Sequence, residues 1–228
     1  MSHAVLLLVL LLTLAGEPVK AKEISILALG DSYTIGEAVT TASRWPNQLR
    51  NLLANHGISA NNPVIVARTG WTTANLASAI KSRSIHTHFD IVTLLIGVND
   101  QFQGYSANDY RPAFRALLKT AIGFAADRPA HVIVLSIPDY SVTPFAKRYN
   151  QARIASELAE FNNINKNLSL EEGVHYINIT AMSQQAAQRR DLIAYDGLHP
   201  SELMYHLWAE KILPVIQQIL DESNGDQS

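Results

Sequence analysis

The sequence predicts an α/β protein, a three-layer α/β/α sandwich around a five-stranded parallel sheet in the flavodoxin-like order 2-1-3-4-5. Three observations lead there. Short apolar runs rich in β-branched residues alternate with longer stretches of helical periodicity. The runs are apolar almost throughout, as parallel strands buried on both faces are. From Glu23 onward no long linker, low-complexity tract or internal repeat breaks the alternation. Strands separated by helices imply right-handed crossovers and helices on both faces of the sheet.

Each element follows from its residues. Ile24–Leu29 (ISILAL) reads as the first buried strand, and 45–56 as a helix with Leu49, Leu52 and Leu53 on one face. PVIVA at 63–67 is the second strand, followed by a helix over 72–80 capped by Thr72 or Thr73. FDIVTLLI at 89–96 is the third strand, and 109–126 a helix with Pro112 placed in its first turn, where proline is tolerated. HVIVLS at 131–136 is the fourth strand, before a long helix over 149–168. VHYIN at 174–178 is the fifth, and 201–220 the closing helix.

Composition narrows the function. With 228 residues, 47 % hydrophobic and 17 % charged, the chain is neither disordered nor a coiled coil. Eighteen Lys and Arg against 20 Asp and Glu, a net charge of -2, leave no basic excess for gripping nucleic acid. The absence of cysteine excludes a disulfide scaffold, a thiolate nucleophile, a zinc finger and an iron–sulfur site.

The first residues stand apart. AVLLLVLLLTLA at 4–15 is too short for the roughly 20 apolar residues of a membrane span, and has the length of a signal-peptide core. Val19-Lys20-Ala21 offers small residues at peptidase spacing, although Met1-Ser2-His3 carries no Lys or Arg. Glu17 stands where a lipoprotein box would need cysteine, so lipid attachment there is excluded. The expectation is a leader over 1–21, a single domain over 22–228, export to the periplasm or outside, and no stable membrane anchor after cleavage.

In open parallel sheets the ligand sits beyond the carboxyl ends of the strands. There the sequence places Gly30-Asp31-Ser32-Tyr33 after strand one, Arg68-Thr69-Gly70-Trp71 after strand two, and Gly97-Val98-Asn99-Asp100 after strand three. Asp196-Gly197-Leu198-His199-Pro200 precedes the last helix. Singly these are weak signals, since Gly-Asp-Ser and Asn-Asp are ordinary turn and cap residues. Together they supply the parts of acyl transfer. Ser32 is a nucleophile once a base takes its proton, and His199 suits that role. Asp196 can hold the imidazole tautomer. The N–H groups of Ser32 and Gly70 and the amide of Asn99 can stabilise an oxyanion. At Gly70 the absence of a Cβ leaves room for the substrate oxygen.

The blocks LALGDSYTIG (27–36), RTGWTT (68–73), LIGVND (95–100) and DGLHP (196–200) resemble those of the SGNH, or GDSL-type, hydrolase family, in the same order. The resemblance spans essentially the whole chain after the leader. It implies a serine esterase or acyl hydrolase with Ser32 as nucleophile, His199 as base, Asp196 as its partner, and Ser32, Gly70 and Asn99 as oxyanion hole. Tyr33 stands where the family's name motif has Leu. Known members cut lipid esters, thioesters, acetylated sugars and aryl esters, and the sequence does not choose among them.

Competing readings lack their signatures. The second glycine of Gly-x-Ser-x-Gly is missing after Ser32, and neither a dinucleotide fingerprint nor a phosphate loop is present. An acyltransferase using the same residues and an inactive lipid- or carbohydrate-binding module are the alternatives. The partner expected is a small-molecule ester, without cofactor, metal or nucleic acid. His86 and His88, two apart, would face one way in a strand, but no third ligand is near in sequence. Asn167-Leu168-Ser169 and Asn178-Ile179-Thr180 fit the glycosylation pattern and carry no weight here. For the substrate wall the expected residues are Trp71, Tyr140 and Phe145, the last two from the proline-bounded segment PDYSVTPF (138–145); Trp45 is expected in the core.

Overall fold

The computed structural model describes residues 23–225, so the expected leader over 1–21 lies outside the described residues. The strands are β1 (Ile26–Gly30), β2 (Val64–Ala67), β3 (Ile91–Leu95), β4 (Val132–Leu135) and β5 (His175–Ile177). They form one sheet in the order β2-β1-β3-β4-β5, every pair parallel, as the alternation predicts. The helices are α1 (Ser32–Ile35), α2 (Trp45–Asn55), α3 (Thr73–Arg83), α4 (Val98–Phe102), α5 (Ala107–Phe124), α6 (Gln151–Glu171), α7 (Thr180–Ser183) and α8 (Glu202–Gly225).

The long helices form the outer layers: α2 packs along α8, while α3, α5 and α6 pack side by side. β1, β3 and β4 are buried at every position, which is why they read as unbroken apolar runs. The edge strands differ. β2 begins exposed and β5 is half-buried over its first two residues, because an edge strand has a neighbour on one side only. Trp45, Trp208, Tyr110, Tyr205 and Phe114 are fully buried between the sheet and its helix layers, Trp45 in the core as expected.

Caps decide where helices start. Thr72 caps α3 through a box in which it and Asn75 satisfy each other's backbone N–H groups. Ser106 caps α5 by accepting from Asp109 N, two residues before the periodic pattern becomes visible. Pro112 therefore lies beyond the first turn, contrary to the sequence expectation, and removes one bond from the helix interior. Asn150 caps α6, whose first residue is Gln151 rather than Tyr149. The helices α1, α4 and α7 were not expected. Four or five residues are too few to display a period.

Register aligns the site. Gly30, the last residue of β1, pairs with Ala67 at the end of β2 and with Leu95 at the end of β3. The three segments that follow therefore leave the sheet at one level. Behind β4, Asn162 of α6 clamps the next segment, its Oδ1 accepting from Ile137 N at 2.7 Å and its Nδ2 donating to Ile137 O at 2.9 Å.

Candidate active site

The turn after β1 is built by Asp31. Its Oδ1 accepts from Tyr33 N at 3.0 Å, capping α1, and Ser32 becomes the first residue of that helix. The turn closes at Gly36, whose N–H donates to Ser32 O. Ser32 opens the helix, so its own N–H has no partner within it. Asp31 itself is buried, and its Oδ2 has no hydrogen-bond partner among the described residues. Burial, with a smaller push from the Asp100 carboxylate, outweighs the bond from Tyr33 and raises the Asp31 carboxyl to a pKa of about 8.

His199 is held by the loop before α8. Ala194 N donates to His199 O at 2.8 Å, and an antiparallel bridge joins Ile193 to Pro200. Asp196 Oδ1 accepts from the backbone N–H groups of Leu198 and His199, both at 3.0 Å. Its Oδ2 accepts from His199 Nδ1 at 2.6 Å. Burial raises the Asp196 carboxyl, but these three bonds together hold it below the usual carboxylate range. With Nδ1 committed to Asp196, Nε2 is the nitrogen available for proton transfer. The ring packs edge-on against Tyr33, centroids 5.7 Å apart.

The blocks after β2 and β3 are tied together. Asp100, fully buried, accepts from Thr73 N at 3.2 and 3.0 Å and from Thr73 Oγ1 at 2.5 Å. Burial raises its carboxyl despite those bonds. Asn99 Nδ2 donates to Trp71 O at 2.9 Å, which orients the amide and leaves its second N–H free to point elsewhere. Gly70 has φ of +82°, and a Cβ there would meet no protein atom within 4 Å. Within the protein alone, glycine is demanded by backbone conformation, and the steric argument concerns only an incoming substrate.

These residues meet. Ser32, Gly70, Asn99 and His199 line one cavity of about 140 Å³, and Tyr140 and Phe145 form part of its wall as the sequence suggests. Trp71 does not line it. Its ring is partly buried and packs against the core, two residues before α3 begins. Phe102, Val98 and Leu198, which line the cavity too, were missed. Asn99 and Phe102 are three apart on α4, the spacing that places two side chains on one face of a helix. That signal exists only once α4 is known. Phe145 N donates to Gly197 O at 3.0 Å, fastening the segment after β4 to the histidine loop.

Among the described residues no group of three or more His, Cys, Asp or Glu is placed to hold a metal ion. His86 and His88 lie in an irregular segment rather than a strand, beside a separate surface hollow. No helix among the described residues is long and apolar enough to cross a membrane.

The candidate site thus joins the Ser32 turn at the carboxyl edge of a parallel sheet to the Asp–His pair before the last helix. The chain belongs to the GDSL-like lipase/acylhydrolase family, whose profile matches residues 28–207. No curated protein sequence matches it. Solved structures share the fold at low identity. The lipase/acylhydrolase from Enterococcus faecalis superposes with a TM-score of 0.68 at 19% identity, covering 86% of this chain and 96% of that one. Axe2, an acetylxylan esterase from Geobacillus stearothermophilus, gives 0.66 at 18%, covering 85% and 94%. A member of the lipolytic G-D-S-L family from Veillonella parvula gives 0.63 at 20%, covering 84% and 97%.

Proposed function

We propose that this chain is a serine esterase that hydrolyses carboxylic esters of short acyl groups through an acyl-enzyme on Ser32. The observation that carries the reading is the meeting of Ser32, Gly70, Asn99 and the Asp196-bonded His199 around one cavity. Membership of a lipase/acylhydrolase family supports the reaction class. In the first half-reaction Ser32 Oγ attacks the ester carbonyl while His199 Nε2 takes the hydroxyl proton. The carbonyl oxygen becomes an oxyanion facing Ser32 N–H, Gly70 N–H and the free Asn99 N–H. His199 returns the proton to the departing alkoxide, and an alcohol leaves. Water then repeats the sequence on the acyl-serine, releasing the carboxylic acid and restoring Ser32. Asp196 stays ionised throughout, in keeping with its depressed pKa, and stabilises the imidazolium.

Cavity size argues for a short acyl chain. About 140 Å³ is close to the void of about 150 Å³ known to hold one benzene molecule, so a long chain would have to leave it. The acetyl specificity stated for Axe2 agrees with this scale. The apolar run at 4–15 supports export, with a leader over 1–21 removed from the mature chain; intact mass of exported protein tests this, and a mass that includes residues 1–21 overturns it.

The test is labelling with a fluorophosphonate, read by intact mass, beside a p-nitrophenyl ester series from acetate to dodecanoate. One adduct per chain, absent in Ser32→Ala, with kcat/KM falling beyond about six carbons, is expected. A folded protein that forms no adduct and cleaves no ester sinks the proposal.

A further inference from the structure

A second cavity of about 250 Å³ shares Phe102 and Tyr140 with the first. An aromatic partition stands there: Phe102 contacts Tyr140, Phe145 and Tyr149 with centroids 6.4, 6.2 and 5.8 Å apart. On the far side the chemistry changes. Gln101, Tyr149, Asn150, Arg153 and Glu157 line the second cavity, so an amide pair, a phenol, a guanidinium and a carboxylate face it. These groups are organised. Tyr140 OH donates to Gln101 Oε1 at 2.9 Å, Gln101 Nε2 donates to Glu157 Oε2 at 2.7 Å, and Arg153 Nε donates to Glu157 Oε1 at 2.6 Å. Asn150 Oδ1 is engaged by Arg153 N, which leaves the Nδ2 group as a donor.

From this we infer that the second cavity is the subsite for the alcohol part of the substrate, and that this alcohol is a neutral sugar, making the substrate an O-acylated carbohydrate. The inference rests on the esterase reading above. Contiguity is the first argument, since an ester bound at Ser32 must send its two substituents to different places and the two cavities share a wall. Charge is the second. Among the lining residues Arg153 and Glu157 neutralise each other, and the neighbouring Arg148 is stacked over the Phe145 and Tyr149 rings, so the lining itself presents neither an unpaired cation for a phosphate or carboxylate nor an unpaired anion for an amine. Hydroxyl groups, which donate and accept at once, match the remaining lone pairs and N–H groups. Shape is the third. Phe102 and Tyr149 are 49% and 42% exposed, and although Arg148 lies over the Tyr149 ring, the two rings together leave aromatic surface whose negative charge attracts the polarised C–H groups of a sugar. A second alkyl chain would bury this polar set without partners.

The experiment compares a monoacetylated methyl xyloside with p-nitrophenyl acetate, which carry the same acyl group, and reads the ratio of their kcat/KM values. Arg153→Gln and Tyr149→Ala, both altering side chains at the surface, are each expected to lower that ratio tenfold or more. An unchanged ratio in both variants overturns the inference, as does a wild type that cleaves the aryl ester but not the sugar ester. A second readout is independent of the chemistry: saturation-transfer NMR of unacetylated methyl xyloside on the Ser32→Ala protein. Binding that Arg153→Gln abolishes supports the subsite even where neither ester is cleaved, and absence of binding to Ser32→Ala overturns it. Failure of the esterase reading itself appears as a missing fluorophosphonate adduct.

Discussion

At the scale of single residues, the site depends on which lone pairs and protons are already engaged. Asn99 has one N–H fastened to Trp71 O, so its second has little freedom left to lose on meeting an oxyanion. Asn99→Ala is expected to lower kcat by about 10²–10³ with KM changed little, the cost typical of one lost oxyanion donor. A KM effect without loss of kcat would place Asn99 in ground-state binding instead. Asp31 yields a prediction of a different kind. Its folded pKa of about 8 lies above the ordinary aspartate value of 3.8, so between these the native chain keeps a proton that the unfolded chain has released. The stability this carboxyl allows is fully present below pH 4 and is lost as pH rises towards and through 8. Asp31→Asn retains an acceptor for Tyr33 N and cannot ionise. Melting temperatures of parent and variant from pH 5 to 9 should diverge in the variant's favour as pH increases, and parallel curves would show Asp31 to be ionised in the native state.

Among the elements, the turn into α4 is tightly constrained. Gly97 caps it with φ of +125°, and a Cβ there would stand 2.4 Å from Tyr110 Oη. That hydroxyl cannot give way cheaply, for its one proton is shared between Ile96 O at 3.0 Å and Asn165 Oδ1 at 2.8 Å inside the core. Gly97→Ala therefore combines backbone strain with a clash. A loss of about 1–3 kcal/mol or more is expected in urea unfolding, and because Asn99 lies two residues on, activity should fall as well. Full stability in the variant would mean that the turn has another conformation. The elements also show where sequence reading succeeds. The strands β1, β3 and β4 were legible because burial on both faces leaves almost only apolar residues, the buried Thr93 of β3 apart. The caps at Ser106 and Asn150 were not, since a polar residue before a helix looks like any loop residue until its side chain accepts a backbone N–H.

For the whole molecule, the parallel sheet is what turns four separated sequence blocks into one site. β1, β2 and β3 end in register, the segment after β4 is tied to the histidine loop by Phe145 N to Gly197 O, and Thr73 joins the second block to the third through Asp100. The five strands and their order could be read from the chain alone, and so could the convergence of Ser32, Gly70, Asn99 and the Asp196–His199 pair at one edge of the sheet. Apolar runs, glycine-bearing turns and their order are linear properties, written one residue after another. Which aromatic rings wall the cavity could not. Trp71 and Phe102 are both large apolar residues next to a motif, and only the direction of the backbone separates them: one ring packs on the core, the other stands between two cavities. The protonation of Asp31 and the sharing of Phe102 and Tyr140 by two pockets belong to the tertiary structure for the same reason. Each depends on what distant segments bring within a few ångströms, and that distance is set by packing rather than by order along the chain.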